Sequence, residues 1–156
     1  MWDKRILGLG AGLALATAVT VPALTGSASA SNGESFTVYA QPSSETNIDN
    51  GKPGFSAGDY DVHTDPLTRG GKTVGWNDGS CLTTSVSSTT FDQLCTFVLH
   101  LPDGQIVSDG AVRSGKNGPG IFLLAVTGGT GKYQTARGQV QVTASDGPVR
   151  IDVTIR

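Results

Sequence analysis

The sequence has little charge, one methionine, and no stretch with a sustained helical period. Asp, Glu, Lys and Arg make up 15% of the 156 residues, and the methionine is Met1. The 11 basic and 13 acidic side chains nearly balance, which argues against a nucleic-acid or anionic-membrane partner, because both bind through an excess of basic residues. Helical bundles and coiled coils are rich in Ala, Leu, Glu and Lys, so the low charge also argues against those folds.

The N-terminal 30 residues have the three parts of a secretory signal peptide. Lys4 and Arg5 precede an uncharged stretch over 6–24, and an Ala-Ser-Ala sequence ends at Ala30. We therefore predict that the signal peptide is cleaved after Ala30 and that the protein is secreted. The mature chain is predicted to be one domain over 31–156 with no membrane partner. The alternative is a transmembrane anchor, but the stretch contains several glycines and a proline and no basic cluster follows it.

Only two cysteines are present, Cys81 and Cys95. An even number of cysteines in an exported protein is most simply explained by a disulfide, so we predict that these two are bonded. A reactive or metal-binding thiol is the alternative, but no further Cys or His lies close to either in the sequence.

What the sequence does contain is a series of short, strand-like runs separated by turn residues, with 22 glycines in all. The predicted strands are 36–40, 59–65, 72–76, 81–86, 91–101, 105–108, 121–126, 133–144 and 149–156. With a strand on each side of a turn near Ser88, Cys81 would face Cys95 across an antiparallel pair. We predict an all-β fold, an eight-stranded antiparallel up-and-down barrel, because closure leaves no exposed sheet edges. An open sandwich is the alternative.

Four polar residues, Asp59, Asp61, His63 and Asp65, alternate along one predicted strand and therefore share a face. On an open sheet this would be an ordinary solvated face. In a barrel of about eight strands the same face can look into the lumen, where neighbouring carboxylates raise one another's pKa and suit proton transfer. An Asp-x-His-x-Asp metal site is a weaker alternative because ligands spaced along one strand splay apart, so we predict no metal and no cofactor.

Arg137 is a second candidate, because on the predicted strand over 133–144 it shares a face with Tyr133 and other hydrogen-bonding residues. An arginine in such surroundings can hold an anionic or carbonyl oxygen, although an exposed surface arginine is an equally good interpretation. The preceding Gly128-Gly-Thr-Gly131 turn lacks the spacing of a phosphate-binding loop. We interpret its glycines as a tight hairpin with positive φ angles.

Two segments resemble dirigent proteins. Residues 128–138 read GGTGKYQTARG, similar to the Gly-Gly-Thr-Gly-x-aromatic-x-x-Ala-Arg-Gly signature of that family. Asp65-Pro-Leu-Thr68, followed by a Val-Gly strand, resembles the family's Asp-Asp-Pro-Leu-Thr segment, with Thr64 in place of the first acid. The resemblance extends over nearly all of the mature chain.

The resemblance implies the barrel shared by dirigent proteins and allene oxide cyclases, usually a homotrimer, with a lumen for a hydrophobic small molecule. It implies stereoselective coupling or cyclisation without a redox cofactor, in the manner of an isomerase, with Asp65 as acid or base and Arg137 as oxygen stabiliser. Thr64 stands where the family has the first of two acids, and Asp61 or His63 can substitute for that acid. Tyr60, Trp76 and Tyr133 are the expected aromatic contacts with the substrate. A non-catalytic binding barrel and a purely structural protein with a filled lumen are the alternatives.

Overall fold

The computed structural model describes residues 33–115, 118 and 120–156. The predicted signal peptide lies outside these residues. The described chain forms nine strands and one 3-10 turn, Gly131–Tyr133. The strands are β1 (Glu34–Ala40), β2 (Ser44–Ile48), β3 (Tyr60–Arg69), β4 (Lys72–Val86), β5 (Thr90–Leu101), β6 (Gly104–Gly115), β7 (Ile121–Gly129), β8 (Gly138–Thr143) and β9 (Val149–Ile155).

All strand pairs are antiparallel, and the sheet closes into a barrel. The strand order is β1-β9-β8-β7-β6-β5-β4-β3-β2, and β1 also pairs with β3 through Tyr39 with Thr68 and Ala40 with Leu67. Eight strands therefore form the closed barrel, and β2 is an additional strand that pairs with the rest of β3. This confirms the predicted all-β, eight-stranded antiparallel barrel, in which closure satisfies backbone groups that an open sheet would leave at its edges.

The predicted disulfide is also confirmed. Cys81 on β4 and Cys95 on β5 are directly opposite one another, and their sulfurs are bonded. The turn between the two strands contains Ser88, as the spacing of the cysteines predicted.

Several predicted strands and one predicted loop were wrong in their boundaries. The strands predicted over 72–76 and 81–86 are one continuous strand, β4, because the Asn-Asp-Gly triplet between them is paired on both sides. The predicted loop after Pro42 contains β2. The strand predicted over 133–144 begins only at Gly138, because the chain first makes the 3-10 turn.

Of the glycines in the Gly128 to Gly131 turn, Gly131 has a positive φ, 58°, whereas Gly128 and Gly129 do not. A Cβ on Gly131 would collide with the backbone oxygen of Asp103, so this turn packs directly against the turn between β5 and β6. The glycine signature therefore reflects close backbone approach as well as turn conformation.

The hydrophobic core fills one end of the barrel. Val38, Leu67 and Ile106 are fully buried there, and Tyr133 from the 3-10 turn packs into the same cluster. The apolar side chains at this end leave the other end of the barrel interior to the cavity described below. No helix in the described part of the chain is long and apolar enough to cross a membrane.

Candidate functional site

A cavity of about 700 Å³ occupies the barrel interior. Its polar side is formed by β3, where Asp61, His63 and Asp65 all line the wall while the residues between them are exposed. This arrangement follows from the two-residue period of a strand, which places alternate side chains on one face. The row predicted from the sequence thus faces the lumen, except for Asp59, which lies just before the strand.

His63 occupies space that a glycine leaves free on the neighbouring strand. His63 is directly opposite Gly79 on β4, and a Cβ on Gly79 would collide with the imidazole ring. The ring also lies beside Phe97, with 5.5 Å between the ring centroids. Its Nε2 is 3.2 Å from Asn77 Nδ2 and 3.9 Å from Asp65 Oδ2. The imidazole is therefore held between an amide, a carboxylate and an aromatic ring.

The two carboxylates in this row have different surroundings. Asp61 Oδ2 accepts a hydrogen bond of 2.6 Å from Gln93 Nε2 on β5. Burial against the apolar wall raises the pKa of Asp61, and the nearby Glu45 carboxylate acts in the same direction. Asp65 Oδ1 instead accepts a hydrogen bond of 2.9 Å from the backbone N–H of Ser43, between β1 and β2. Asp61 is thus suited to carry a proton, whereas Asp65 also fixes the chain where it leaves the barrel.

Two polar atoms in the cavity wall have no hydrogen-bond partner. Asn77 Oδ1 and Ser108 Oγ are unpartnered, although the two residues are only 2% and 0% exposed. Buried polar groups in folded proteins are nearly always paired, because an unpaired group costs about 1–3 kcal/mol. Thr83 Oγ1 and Ser114 Oγ are likewise unpartnered, but their residues do not line the cavity.

Most of the rest of the wall is apolar and aromatic. Phe91, Phe97 and Phe122 contribute their rings, and the Cys81–Cys95 disulfide lies in the same wall. At the mouth, Phe55 packs edge-on against Phe91, with 5.1 Å between the ring centroids. The wall can therefore accommodate a planar hydrophobic molecule beside the polar row.

Asp59 shapes the loop that carries Phe55. Its carboxylate accepts hydrogen bonds from the backbone N–H groups of Asn50, at 3.0 Å, and Ser56, at 2.7 Å. These bonds hold the pKa of Asp59 below its usual value. Asp59 is therefore a residue that orders the mouth of the cavity rather than one that lines it.

Four of the predicted site residues lie away from the cavity. Arg137 is exposed, and its guanidinium donates a hydrogen bond to the carbonyl of Ala136. The strand that was expected to orient this side chain, β8, begins one residue later, at Gly138. Tyr133 is buried in the core at the closed end, where burial raises its pKa. Tyr60 and Trp76 point to the exterior, and Trp76 stacks on His100 at 4.6 Å between ring centroids.

Other lining residues were missed in the sequence. Asn77 belonged to a triplet that we interpreted as a turn, and Ser108 ended a predicted strand that is in fact longer. Gln93 shares one face of β5 with Cys95 and Phe97, so the two-residue period of that strand could have identified it. Among the described residues, no group of three or more His, Cys, Asp or Glu side chains could hold a metal ion.

Comparisons with known proteins agree with this architecture. A pyocyanin demethylase structure superposes with a TM-score of 0.69 at 28% identity, covering 79% of this chain and 100% of that chain. The pterocarpan synthase dirigent protein PsPTS1 superposes with a TM-score of 0.61 at 21% identity, covering 80% of this chain and 94% of the dirigent protein. The Diels Alderase AbmU from Streptomyces koyangensis gives a TM-score of 0.61 at 17% identity, covering 80% of this chain and 63% of that protein.

A search of curated protein sequences gave no match. The sequence profile of the allene oxide cyclase barrel-like domain matches residues 39–155, which include β2 to β9 and the end of β1. The resemblance to dirigent proteins and allene oxide cyclases is thereby confirmed. Because the match covers three quarters of the sequence and every strand that lines the cavity, the chain belongs to the allene oxide cyclase barrel-like family.

Proposed function

We propose that the protein binds a hydrophobic small molecule in the barrel cavity and steers its cyclisation or stereoselective coupling by proton transfer. The observation that carries this proposal is the row of Asp61, His63 and Asp65 facing a cavity whose wall is mostly apolar. Proton transfer by positioned side chains is most effective where the reacting groups are shielded from water.

The roles of the three side chains follow from their surroundings. Asp61, with a raised pKa, is the group that donates a proton to the substrate. His63 is the base that accepts a proton from another atom of the substrate, and Asp65, 3.9 Å away, stabilises the resulting imidazolium. In a cyclisation the substrate is thereby isomerised with no net gain or loss of protons, and the next turnover needs a proton to return from His63 to Asp61.

The remaining cavity residues position the substrate. The phenylalanines hold its apolar body, and Asn77 Oδ1 and Ser108 Oγ bond to its polar atoms. Correct placement of the reacting atoms is itself a large part of the rate enhancement for ring closure. We assign no role in the cavity to Arg137, because its side chain is on the exterior.

The structural neighbours support this class of function. Their names describe demethylation of pyocyanin, pterocarpan synthesis and a Diels-Alder reaction. These are three different conversions of small molecules in the same kind of barrel, so the fold supports the reaction class without naming the substrate.

We further propose that the protein is secreted and forms a homotrimer. The disulfide is compatible with an oxidising compartment. Ile121 and Leu123 on the outer side of β7 are 66% and 52% exposed, and Leu94 on β5 is also exposed. Apolar side chains on the outer surface of a small barrel suit a contact between subunits. Analytical ultracentrifugation tests this by measuring the mass of the protein in solution, which should be that of a trimer.

Binding is tested with the neutral fluorophore N-phenyl-1-naphthylamine, whose emission rises in apolar surroundings. Leu124→Trp adds volume inside the cavity, whereas the matched Leu123→Trp adds it at the neighbouring exposed position. We expect the first variant to lose most of the fluorescence increase and the second to retain it. Equal binding by both variants would place the fluorophore outside the cavity and contradict the proposal.

Catalysis is tested on the compound that co-purifies with the protein from its own host. Conversion of that compound should fall at least about a hundredfold in Asp61→Asn and in His63→Gln, the usual scale for removing an acid or base. Asp78→Asn is the control, because Asp78 pairs with His100 outside the cavity. A compound that is bound but returned unchanged by the unmodified protein would identify a non-catalytic binding barrel instead.

A further inference from the structure

The charged groups of the cavity wall are almost all acidic. Glu45, Asp61 and Asp65 contribute three carboxylates, and His63 is the one basic side chain among the described residues that line the wall. Neither Lys nor Arg occurs in that set. A cavity whose low-dielectric walls carry charge of one sign concentrates ligands of the opposite sign.

The same wall is rich in aromatic faces. Phe55, Phe91, Phe97 and Phe122 line it, and Phe97 and Phe122 are neighbours, with 6.4 Å between their ring centroids. The face of an aromatic ring attracts cations, most strongly where water is excluded. Carboxylates and phenylalanines together therefore favour a molecule that is both apolar and positively charged.

The unpartnered atoms agree with this preference. Asn77 Oδ1 can only accept a hydrogen bond, and Ser108 Oγ can accept as well as donate. A ligand with polarised N–H or C–H groups beside a positive nitrogen would donate hydrogen bonds to both oxygens. A ligand carboxylate can only accept, so it would be repelled by Asn77 Oδ1. The electrostatic field and the hydrogen-bonding capacity of the wall thus select the same kind of molecule.

We propose that the cavity selects planar organic cations, meaning aromatic molecules with a delocalised positive charge, and discriminates against molecules that carry a carboxylate. This inference rests on the proposed function, since it requires that a small molecule bind inside the barrel. It goes further because it specifies the charge of the ligand. A cation in the cavity also compensates the Asp65 carboxylate, for which His63 is the one cationic partner among the described residues.

The proposal is tested with three bicyclic molecules of the same shape that differ in charge. They are 1-methylquinolinium, which is cationic, 1-methylnaphthalene, which is neutral, and 1-naphthoate, which is anionic. Each is titrated against the protein saturated with N-phenyl-1-naphthylamine, and displacement gives its affinity. We expect the cation to bind at least about tenfold more tightly than the anion, which corresponds to 1.4 kcal/mol.

A charge-neutral variant separates electrostatic attraction from shape. In Asp61→Asn combined with Asp65→Asn, the affinity for 1-methylquinolinium should fall about tenfold, while that for 1-methylnaphthalene should change less than twofold. Asp78→Asn combined with Asp109→Asn removes two carboxylates that do not line the cavity and serves as the control. Retained binding of N-phenyl-1-naphthylamine shows that each variant is folded.

The outcomes distinguish this inference from the proposed function. Binding of all three bicyclic molecules with equal affinity, or tighter binding of 1-naphthoate, overturns the cation preference and leaves the proposed cavity function standing. A parallel loss of affinity for the cation and the neutral molecule in the cavity variant overturns it as well. If neither the fluorophore nor any of the three molecules binds, both the inference and the proposed function are wrong.

Discussion

The absence of a side chain at Gly79 is what allows His63 to face the cavity, and Gly79→Ala tests this directly. The added Cβ would collide with the imidazole and come within 2.9 Å of Phe97 Cδ1. Overpacking of this kind costs about 1–3 kcal/mol, and Ala regains about 0.5–1 kcal/mol over Gly in a strand. We therefore expect a net loss of up to about 2.5 kcal/mol in the free energy of unfolding, together with displacement of His63.

The sequence offers a matched control in Gly128. It also lies within a strand, its φ is not positive, and an added Cβ would meet no atom within 4 Å. Gly128→Ala should leave stability unchanged or raise it by up to about 1 kcal/mol, because Ala loses less backbone entropy on folding than Gly. Urea unfolding followed by far-UV circular dichroism gives both values.

A double-mutant cycle shows whether the imidazole is the cause. In a His63→Ala background the principal collision is removed, so Gly79→Ala should cost at least about 1 kcal/mol less than in the unmodified protein. An equal cost in both backgrounds would refute the reasoning, since Gly79 would then matter for a reason unrelated to His63. The same variants, titrated with N-phenyl-1-naphthylamine, show how far displacement of the ring alters the cavity.

Two further predictions concern stability. Replacing both Cys81 and Cys95 by Ala opens a crosslink between residues 14 positions apart, which should cost about 3 kcal/mol and lower Tm by about 10 °C. A Tm within about 2 °C of the unmodified protein in a thermal scan would contradict this. The second concerns Asp59, whose pKa is depressed below 3.8 by backbone N–H donors from Ser56 and Asn50. The Asp59 carboxylate therefore contributes to the free energy of unfolding above its pKa in the unfolded chain. That contribution is lost as pH falls through its lower pKa in the folded protein. The stability difference between the protein and Asp59→Asn should be largest near neutral pH and vanish in acid, and a difference independent of pH in urea titrations would count against the role of the carboxylate.

The sequence predicted the polar row of the site better than its surroundings. Asp61, His63 and Asp65 follow a two-residue period along one strand, so local geometry alone places them on the same face. Arg137 and Tyr133 were placed wrongly relative to the cavity because a 3-10 turn precedes β8, and the short glycine-rich segment gave no periodicity that distinguishes a turn from a strand. Asn77 was missed because it belongs to a sequence that is typical of a turn. In the barrel that sequence lies inside the long strand β4, since β3 and β5 pair with it on both sides.

The sequence by itself determined the all-β class, the disulfide, the family and the shared face of the polar row, because each depends on residue order or on spacing along one segment. The tertiary structure decided which face is the interior and which residues from different strands meet there. His63 lies beside Gly79, Asn77 and Phe97 only because the strands pair in one register, and a shift of one residue would turn each side chain to the opposite face. The closed barrel makes that shared face the wall of a cavity, and the proposed ligand binding and proton transfer depend on this enclosure.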